Sequence, residues 1–310
     1  MAATITAPGP AVASPPDPAP NPKKKRSPLP YFLLAPGMLW LAVFFLVPLG
    51  FMFATSLQVP IDPNNPDLGY KPAFNWQTYV TAFHDYWPIY LRSFAYAGLA
   101  TLIGLCLAYP LAYFIAQRAG KWRYIMLVLV VAPFFASFLL RTYAWESLLS
   151  DNSWVVKIGN LVHIGNIHLL PQGRILSTPI AVIFGLTYNF LPFMILPLYA
   201  SIERIDPRLI EAAGDLYARP FTGWRKVTLP LSAPGVISGA LLTFIPASGD
   251  FINATLLGSV RDRMIGNVIQ SQFNIIRDYP TAAALSFILM AVIMVMIAIY
   301  IRRAGTEELI

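Results

Sequence analysis

The stretch Phe94–Ala116, FAYAGLATLIGLCLAYPLAYFIA, has no charged side chain and is long enough to cross a bilayer as one helix. The rest of the chain resembles it: hydrophobic residues make up 56% of the 310 residues and charged residues only 12%, and the mean hydropathy is +0.58. Soluble domains contain roughly 25% charged residues. The composition therefore excludes an ordinary soluble protein, because a chain this apolar cannot cover a surface that faces water.

The chain contains six apolar segments of this kind, including this one. They run approximately over residues 31–55, 94–116, 124–145, 178–200, 231–257 and 282–301. Backbone polar groups in lipid must be satisfied within their own segment, so each segment is expected to be a helix. The fifth is predicted to be interrupted by breakers at Pro234, Gly235, Gly239, Pro246 and Gly249. The sequence predicts an all-α integral membrane protein with six transmembrane helices over residues 31–302.

The two ends of the chain differ from this domain. Residues 1–30 hold nine of the 28 prolines and include the basic run Lys23–Arg26, which predicts a disordered tail. A signal peptide also places a basic run before an apolar stretch, but residues 31–57 are too long for that and lack an obvious A-x-A cleavage site. We therefore expect an uncleaved first helix, and a second short tail over residues 303–310.

Loop charges predict the orientation. Of the 22 Lys and Arg residues, 14 lie before the first segment, after the sixth, or in the loops that follow the second and fourth. Basic residues gather on the cytoplasmic side of membrane proteins, so both termini are expected in the cytoplasm. The loops at about 57–92, 147–177 and 258–280 would then face outward. The net charge of +7 indicates topology rather than binding to nucleic acid.

The loop after the fourth segment, about residues 203–230, carries the most specific pattern. Asp206 followed by Pro207 is a favourable helix start, with an N-cap and then proline at the first helical position. Apolar residues then recur at helical spacing, at Leu209, Ile210, Ala213, Leu216 and Tyr217. A short amphipathic helix in the cytoplasm is typical of a docking surface for another protein, although it could also pack on the membrane helices.

This loop resembles a known family. Glu211-Ala212-Ala213, with Val227–Pro230 further on, is similar to the EAA signature of membrane subunits of bacterial ATP-binding-cassette (ABC) importers. In that family the segment is the coupling helix, which sits in a groove of the cytoplasmic ATPase. The family has glycine four residues after the second alanine, where this chain has Tyr217. The resemblance implies coupling roles for Glu211, Ala212, Ala213, Gly214, Asp215, Tyr217, Leu229 and Pro230.

Further stretches resemble permeases of the spermidine/putrescine type. Such systems have two permeases, and the resemblance is to the first of them. These stretches are Leu140–Trp145, Leu191–Tyr199, Gly249–Ile252, Leu256–Gly258 and Met264–Ile269. The family often has a second glycine at the position where this chain has Ser259. The resemblance implies the type I ABC importer permease fold in a bacterial inner membrane. It also implies a second permease, two ATP-binding subunits and an extracytoplasmic substrate-binding protein. ATP and Mg would be bound by the ATPase, and no cofactor by this chain.

The sequence argues against a self-sufficient enzyme. It has no G-x-x-x-x-G-K-[ST] phosphate loop, since Gly120-Lys121 lacks both the preceding glycine and the following Ser or Thr. His84, His163 and His168 do not have metal-ligand spacing. The single Cys106 cannot form an internal disulfide and is expected to be a small packing or lipid-facing residue.

Ionisable residues within apolar segments are costly, and therefore are candidates for function. Asp250 stands out because it lies inside the fifth segment beside Gly249. Near the end of the third segment lie further candidates for the translocation pathway: Arg141, Tyr143, Trp145 and Glu146. Asp250 could instead cap a half-helix or pair with the partner permease, and Arg141 and Glu146 could be interfacial anchors.

Other functions remain open at this point. A secondary transporter or channel would be expected to show internal symmetry or a filter motif, and neither is visible in the sequence. A structural or assembly membrane protein would show no ATP hydrolysis stimulated by substrate. Within the resembling family, ferric iron, thiamine and phosphonate are alternatives to a polyamine.

Overall fold

A computed structural model describes residues 29–62, 68–154, 156–157, 163–164, 167–168 and 174–304. Its α-helices, in chain order, are α1 (Leu29–Leu41), α2 (Val47–Ser56), α3 (Gln77–Gln117), α4 (Arg123–Val131), α5 (Phe138–Leu149), α6 (Pro179–Glu203), α7 (Pro207–Asp215), α8 (Pro220–Gly223), α9 (Leu229–Leu231), α10 (Ala233–Ser248), α11 (Ile252–Leu257), α12 (Ile265–Ser271) and α13 (Tyr279–Ala304). Of the tails predicted for residues 1–30 and 303–310, residues 1–28 and 305–310 lie outside the described residues and stay predictions. Residues 29–30 instead begin α1, and residues 303–304 end α13.

Short 3-10 and π-helical turns connect several of these helices. They are Ala42–Leu46, Gly120–Trp122, Ala132–Phe135, Trp224–Thr228, Val260–Asp262 and Gln272–Ile276. Two small antiparallel hairpins pair β1 (Val59–Pro60) with β2 (Tyr70–Lys71), and β3 (His163–Ile164) with β4 (Ile167–His168). The described part of the chain is therefore dominated by helices, as the sequence predicts.

Four helices are long and apolar enough to cross a membrane. They are Leu33–Ser56, Gln77–Gln117, Pro179–Glu203 and Tyr279–Ile299. Two further pairs of helices, each bent at a short break, are long and apolar enough when the two members are taken together. They are Gly120–Phe135 with Phe138–Leu149, and Pro220–Leu231 with Ala233–Ser248. Length and composition thus give four spans, or six when each bent pair is counted as one. The six overlap the six apolar segments of the sequence, but the second bent pair begins at Pro220, inside the stretch that the sequence assigned to the loop after the fourth segment.

The chain divides between Leu49 and Gly50 into two compact units. The first contains α1, the π-helical turn that follows it and the start of α2. The large apolar side chains between Leu33 and Val47 are exposed, and the rings of Trp40 and Phe44 pack in a tilted arrangement with centroids 4.1 Å apart. The second unit, from Gly50 onward, contains the remaining helices and the buried core.

The core of the second unit forms where α3 packs on α6. The side of α3 that faces inward carries small residues three or four positions apart, at Ala97, Ala100, Gly104, Ala108 and Ala112. Small side chains let two helix backbones approach closely, which is the usual basis of helix packing in membranes. Larger residues of α6 fill the remaining space, including Met194, Ile195, Leu198 and Ile202.

The third apolar segment is not the single straight helix that the sequence predicted. Its two halves meet at an angle of 91°. Ala136 and Ser137 have extended backbone, with ψ of 146° and 138°, and separate the turn ending at Phe135 from α5. Pro133 sits inside that turn, where it lacks the N–H needed to continue a regular helix. The helix predicted for residues 124–145 is therefore a bent pair of helices, which together have the length and composition of one span.

Besides a 65° bend at Ser232, just before α10, the fifth segment has one break, and four of the five predicted breakers lie inside α10. Gly235 and Gly239 serve close packing: a Cβ on Gly239 would lie 3.0 Å from the backbone oxygen of Met194. The actual break follows Ser248, and the chain resumes as the short helix α11. The sequence thus located the break at Gly249 correctly but misjudged the other positions.

Two predicted outer loops contain long helical stretches. α3 begins at Gln77, so its first sixteen residues occupy the end of the loop predicted for residues 57–92. α12 lies within the loop predicted for residues 258–280. The sequence did not predict these helices, because the stretches hold polar residues, which the search for apolar segments leaves out, while tertiary contacts with α13 support them as helices. The outward orientation of both loops stays a prediction.

Candidate functional site

The segment that resembles a coupling helix forms α7, directly after α6. Asp206 has extended backbone and its Oδ1 accepts a hydrogen bond from the backbone N–H of Arg208 at 2.9 Å. Pro207 occupies the first helical position, where its missing N–H costs nothing. The local sequence therefore explains where this helix begins.

The end of α7 explains the residue that departs from the family pattern. Tyr217 has φ +57°, in the left-handed region that favours glycine. The N–H of Ala218 donates to Ala213 O at 3.1 Å, and the N–H of Tyr217 donates to Gly214 O at 2.9 Å. These two bonds form a Schellman motif, whose left-handed position is usually glycine. The turn expected of the family is thus retained, although with a tyrosine at the strained position.

The outer face of α7 is open to solvent, as a docking surface requires. Glu211 and Ala212 are exposed, and Leu216 and Tyr217 are 81% and 97% exposed. Large apolar side chains at full exposure on a polar loop indicate that another molecule covers them. Gly214 and Asp215 share this exposure, as does Pro230 further along the segment.

The other side of the segment is anchored to the membrane helices. Ala213 is half-buried, and its Cβ would be 3.8 Å from a Cβ placed on Gly223 in α8. Trp224 packs edge-on against Tyr109 of α3, with ring centroids 5.6 Å apart. Leu229 packs against the same core. A force on α7 would therefore be transmitted to α3 and α6.

The second candidate region is the break between α10 and α11. Asp250 is 8% exposed, and its Oδ1 accepts from the backbone N–H of Asn253 at 2.8 Å. This contact caps α11, which is one of the alternatives that the sequence left open. Gly266 of α12 lies against the break, since a Cβ there would come within 3.0 Å of the backbone carbonyl of Asp250. Neither Asp250 nor Arg141 has an ion-pair partner in the part of the chain that the structure describes.

A buried amide network joins this break to two other helices. Asn189 of α6 donates through Nδ2 to Asn253 Oδ1 at 3.0 Å and to Thr142 Oγ1 of α5 at 3.3 Å. All three side chains are at most 1% exposed. Among the described residues, Asn189 Oδ1 and Asn253 Nδ2 find no hydrogen-bond partner. Unsatisfied buried polar atoms are costly, so the network marks a place where a further group or a change of conformation is accommodated.

The four other pathway candidates are distributed around α5. Arg141 is 8% exposed, and its guanidinium lies 5.6 Å from the ring centroids of both Phe134 and Phe138. Trp145 packs on aromatic rings of α6, whereas Tyr143 is 52% exposed and Glu146 is half-buried. The network links Arg141, through its neighbour Thr142, to the helix that Asp250 caps. The structure does not bring Tyr143 or Glu146 into this arrangement.

A cavity of about 620 Å³ opens beside the break. Its wall includes three aromatic rings and three amides, from Phe251, Phe273, Tyr279, Gln58, Gln270 and Asn274. Aromatic faces attract ammonium groups, and amide oxygens accept hydrogen bonds from them. The rest of the wall is mainly apolar and no carboxylate of the described residues lines it, so a ligand there would be held by aromatic faces, apolar contact and amide groups.

Sequence reasoning missed Asn189, Asn253 and Thr142, and also the cavity wall. Asn189 could have been found, because it lies in the middle of an apolar segment without a neighbouring charge. The cavity residues Phe273 and Asn274 lie in a stretch read as a loop, and no local pattern connects them with residue 251.

Residues 100–304 match the family of binding-protein-dependent transport system inner membrane components. The chain belongs to this family. It is accordingly a non-catalytic permease component of an ABC transport system of the inner membrane, which works with a substrate-binding protein and a separate ATPase. The matched range includes both the coupling segment and the break at Gly249.

Relatives in the family are similar over most of their length. The PotB permease of the spermidine/putrescine transport system of Haemophilus influenzae is 39% identical, covering 88% of this chain and 88% of the relative. The PotB permease of Escherichia coli is 38% identical, covering 85% and 93%. The inner membrane ABC transporter permease YdcU of Escherichia coli is 35% identical, covering 71% and 72%.

Solved structures share the fold at low identity. A bacterial ABC transporter that imports the acidic polysaccharide alginate superposes with a TM-score of 0.68 at 19% identity, covering 90% of this chain and 96% of that one. The MetNI methionine ABC transporter superposes with a TM-score of 0.51 at 19% identity, covering 70% and 95%. The fold is therefore that of type I ABC importer permeases, as the sequence predicted.

Proposed function

We propose that this permease translocates a polyamine such as spermidine or putrescine. The observation that carries the proposal is the 38–39% identity with spermidine/putrescine permeases over 85–88% of the chain. The cavity at the broken span supports it, because its aromatic rings and amide oxygens match the ammonium groups and hydrocarbon stem of such a substrate. Interrupted helices in transporters commonly line substrate sites near the middle of the membrane.

The proposed complex contains this chain, a second and different permease, two ATPase subunits and an extracytoplasmic binding protein. ATP and Mg would be bound by the ATPases. Their closure on ATP would move α7, and the anchoring of Trp224 and Leu229 in the core would pass that movement to α3 and α6. The pathway beside the break would then face the two sides of the membrane alternately. Both termini and α7 would lie in the cytoplasm.

Transport by reconstituted complex tests this function. The chain is purified with its partner subunits and placed in liposomes, and ATP-dependent uptake of radiolabelled spermidine and putrescine is measured in the presence of the binding protein. The matched control is a complex whose ATPase carries a substitution of the phosphate-loop lysine. We expect uptake of polyamine that this control lacks.

Three other outcomes would contradict the proposal. Uptake of ferric iron, thiamine or a phosphonate without polyamine uptake would assign a different substrate to the same machinery. Polyamine uptake that persists in the control would indicate a secondary transporter. Failure of any ATPase to co-purify with the chain would indicate a structural membrane protein.

A further inference from the structure

A second pocket, of about 380 Å³, lies at the end of the helices remote from α7. One wall is the start of α3, and the other is the stretch from Gln272 to Thr281. α3 runs from this pocket to Gln117, whose Nε2 donates to Ile202 O at 3.3 Å beside the coupling segment. A helix rises 1.5 Å per residue, so the two ends of α3 are about 60 Å apart. If α7 is cytoplasmic, this pocket faces outward, and we refer to it as the outer pocket.

The wall of the outer pocket is acidic and polar. It contains the carboxylates of Asp85 and Asp278 together with amide and hydroxyl groups, and no Lys or Arg is among its lining residues. Asp85 Oδ1 lies 3.2 Å from His84 Nδ1, and this pair is largely exposed. Asp278 Oδ1 accepts from the backbone N–H of Thr281 at 3.2 Å, which leaves its second oxygen available.

Two basic residues directly precede the two acidic residues of the wall in the chain. His84 is 87% exposed and bound to Asp85, while Arg277 precedes Asp278 and its carbonyl accepts from Tyr70 Oη at 2.8 Å. Burial, and next the charge of Asp278, raise the pKa of Tyr70 above its usual value.

Gln272 provides an independent indication of a ligand. It is 8% exposed, lines the outer pocket, and donates through Nε2 to Tyr86 Oη at 2.8 Å. Its Oε1 is buried and has no hydrogen-bond partner among the described residues. A buried acceptor without a donor is destabilising, and a ligand that donates hydrogen bonds would satisfy it.

We propose that the outer pocket binds one ammonium end of a linear diamine or polyamine before the molecule reaches the cavity at the broken span. This rests on the proposed function for the direction of transport. An ammonium group offers three hydrogen-bond donors, which match Gln272 Oε1 and the free oxygens of Asp85 and Asp278. The volume would hold about a dozen water molecules, far more than a bare ion needs. No group of three His, Cys, Asp or Glu side chains suited to a metal ion occurs in the described part of the chain.

Binding of putrescine to the purified transporter complex, without the binding protein, tests this site. The double variant D85N/D278N keeps the size of both side chains and the cap on α13. Because charge pairs this exposed are weak individually, we expect the double variant to bind putrescine roughly fivefold to tenfold less tightly. D151N, which removes a carboxylate outside the outer pocket, should leave binding unchanged. The uncharged diol of the same length, 1,4-butanediol, should not compete.

A variant that adds negative charge to the outer pocket gives a second test of putrescine binding. Q272E adds a negative charge at the unpaired acceptor, and Tyr86 can donate to it, so we expect tighter binding of putrescine than in the wild type. Unchanged affinity in D85N/D278N, or weaker affinity in Q272E, would overturn the site. If the wild type binds putrescine and D85N/D278N does not, but reconstituted complex imports no polyamine, the site stands and the proposed substrate is wrong. Polyamine import with normal kinetics in D85N/D278N would leave the proposed function standing and contradict the outer pocket.

Discussion

Asp250 combines burial, charge and a structural contact in one side chain. Its contact with the N–H of Asn253 explains why a polar residue stands just before α11, but an asparagine would make the same contact. The cap therefore does not explain why the residue is ionisable in an apolar span. Its chain neighbours Gly249 and Phe251 line the adjoining cavity, whereas Asp250 itself does not. We expect its charge to act on a cationic substrate from behind this wall, because a nearby carboxylate offsets part of the cost of removing ammonium groups from water.

Two substitutions at Asp250 separate these roles. We expect D250N to assemble normally and to retain basal ATPase activity, but to transport the cationic substrate poorly. D250A also removes the cap, so it should lower the stability of the complex by about 1 kcal/mol. Uptake of polyamine and the melting temperature of the complex are the measurements. Normal uptake in D250N, together with failed assembly of D250A, would show that the residue serves only as a cap.

Tyr217 illustrates strain that the sequence reveals only against a family pattern. A residue with a Cβ in the left-handed region costs roughly 1–2 kcal/mol, whereas glycine does not bear this cost. We expect Y217G to hold the end of α7 about 1 kcal/mol more firmly than Y217A, since both variants lack the ring and differ in the strain. Hydrogen exchange of the α7 amides should be about fivefold slower in Y217G. Equal rates of hydrogen exchange in Y217A and Y217G would show that the left-handed backbone at this position is not strained.

At the scale of the element, α7 is a short helix held on one side and exposed on the other. Glu211 lies on the exposed side, so its charge contributes little to folding. We expect E211K to abolish transport while the protein still inserts, because reversing a charge in a docked interface costs about 2–5 kcal/mol. ATPase co-purification and polyamine uptake are the measurements.

Two further variants give this experiment its controls. D151K makes the same charge change outside the coupling segment and should transport normally. A213D places a charge where α7 meets α8 and should disturb docking as E211K does. If E211K and A213D both transport normally with normal ATPase association, α7 is not the coupling element.

At the scale of the whole molecule, the orientation in the membrane decides which surface meets which partner. The uneven division of basic residues predicts cytoplasmic termini. In a C106S background, a single cysteine at Ser14 should be protected from an impermeant thiol reagent in intact cells, whereas one at Ser177 should react. The same reagent applied to broken cells is the control for Ser14. Labelling of Ser14 from outside would reverse the topology, and with it the assignment of α7 to the cytoplasm.

The apolar segments, the start of α7 and the break at Gly249 were all predictable from the sequence. Each depends on local physics: the length of an apolar run, an N-cap followed by proline, and a glycine beside a charge. The family resemblance was also readable, because its motifs are contiguous in the chain. These features need no knowledge of what lies opposite them in space.

Only the tertiary structure decided the rest. The network of Asn189, Asn253 and Thr142 joins residues from three helices, and the two pockets join stretches more than two hundred positions apart. No periodicity within one segment encodes such a meeting. Gly235 and Gly239 read as breakers in the sequence because glycine weakens an isolated helix, yet they lie within α10, where close contact with α6 requires the absence of a side chain. Whether a glycine ends a helix or lets another approach depends on the neighbouring helix, which the local sequence does not contain.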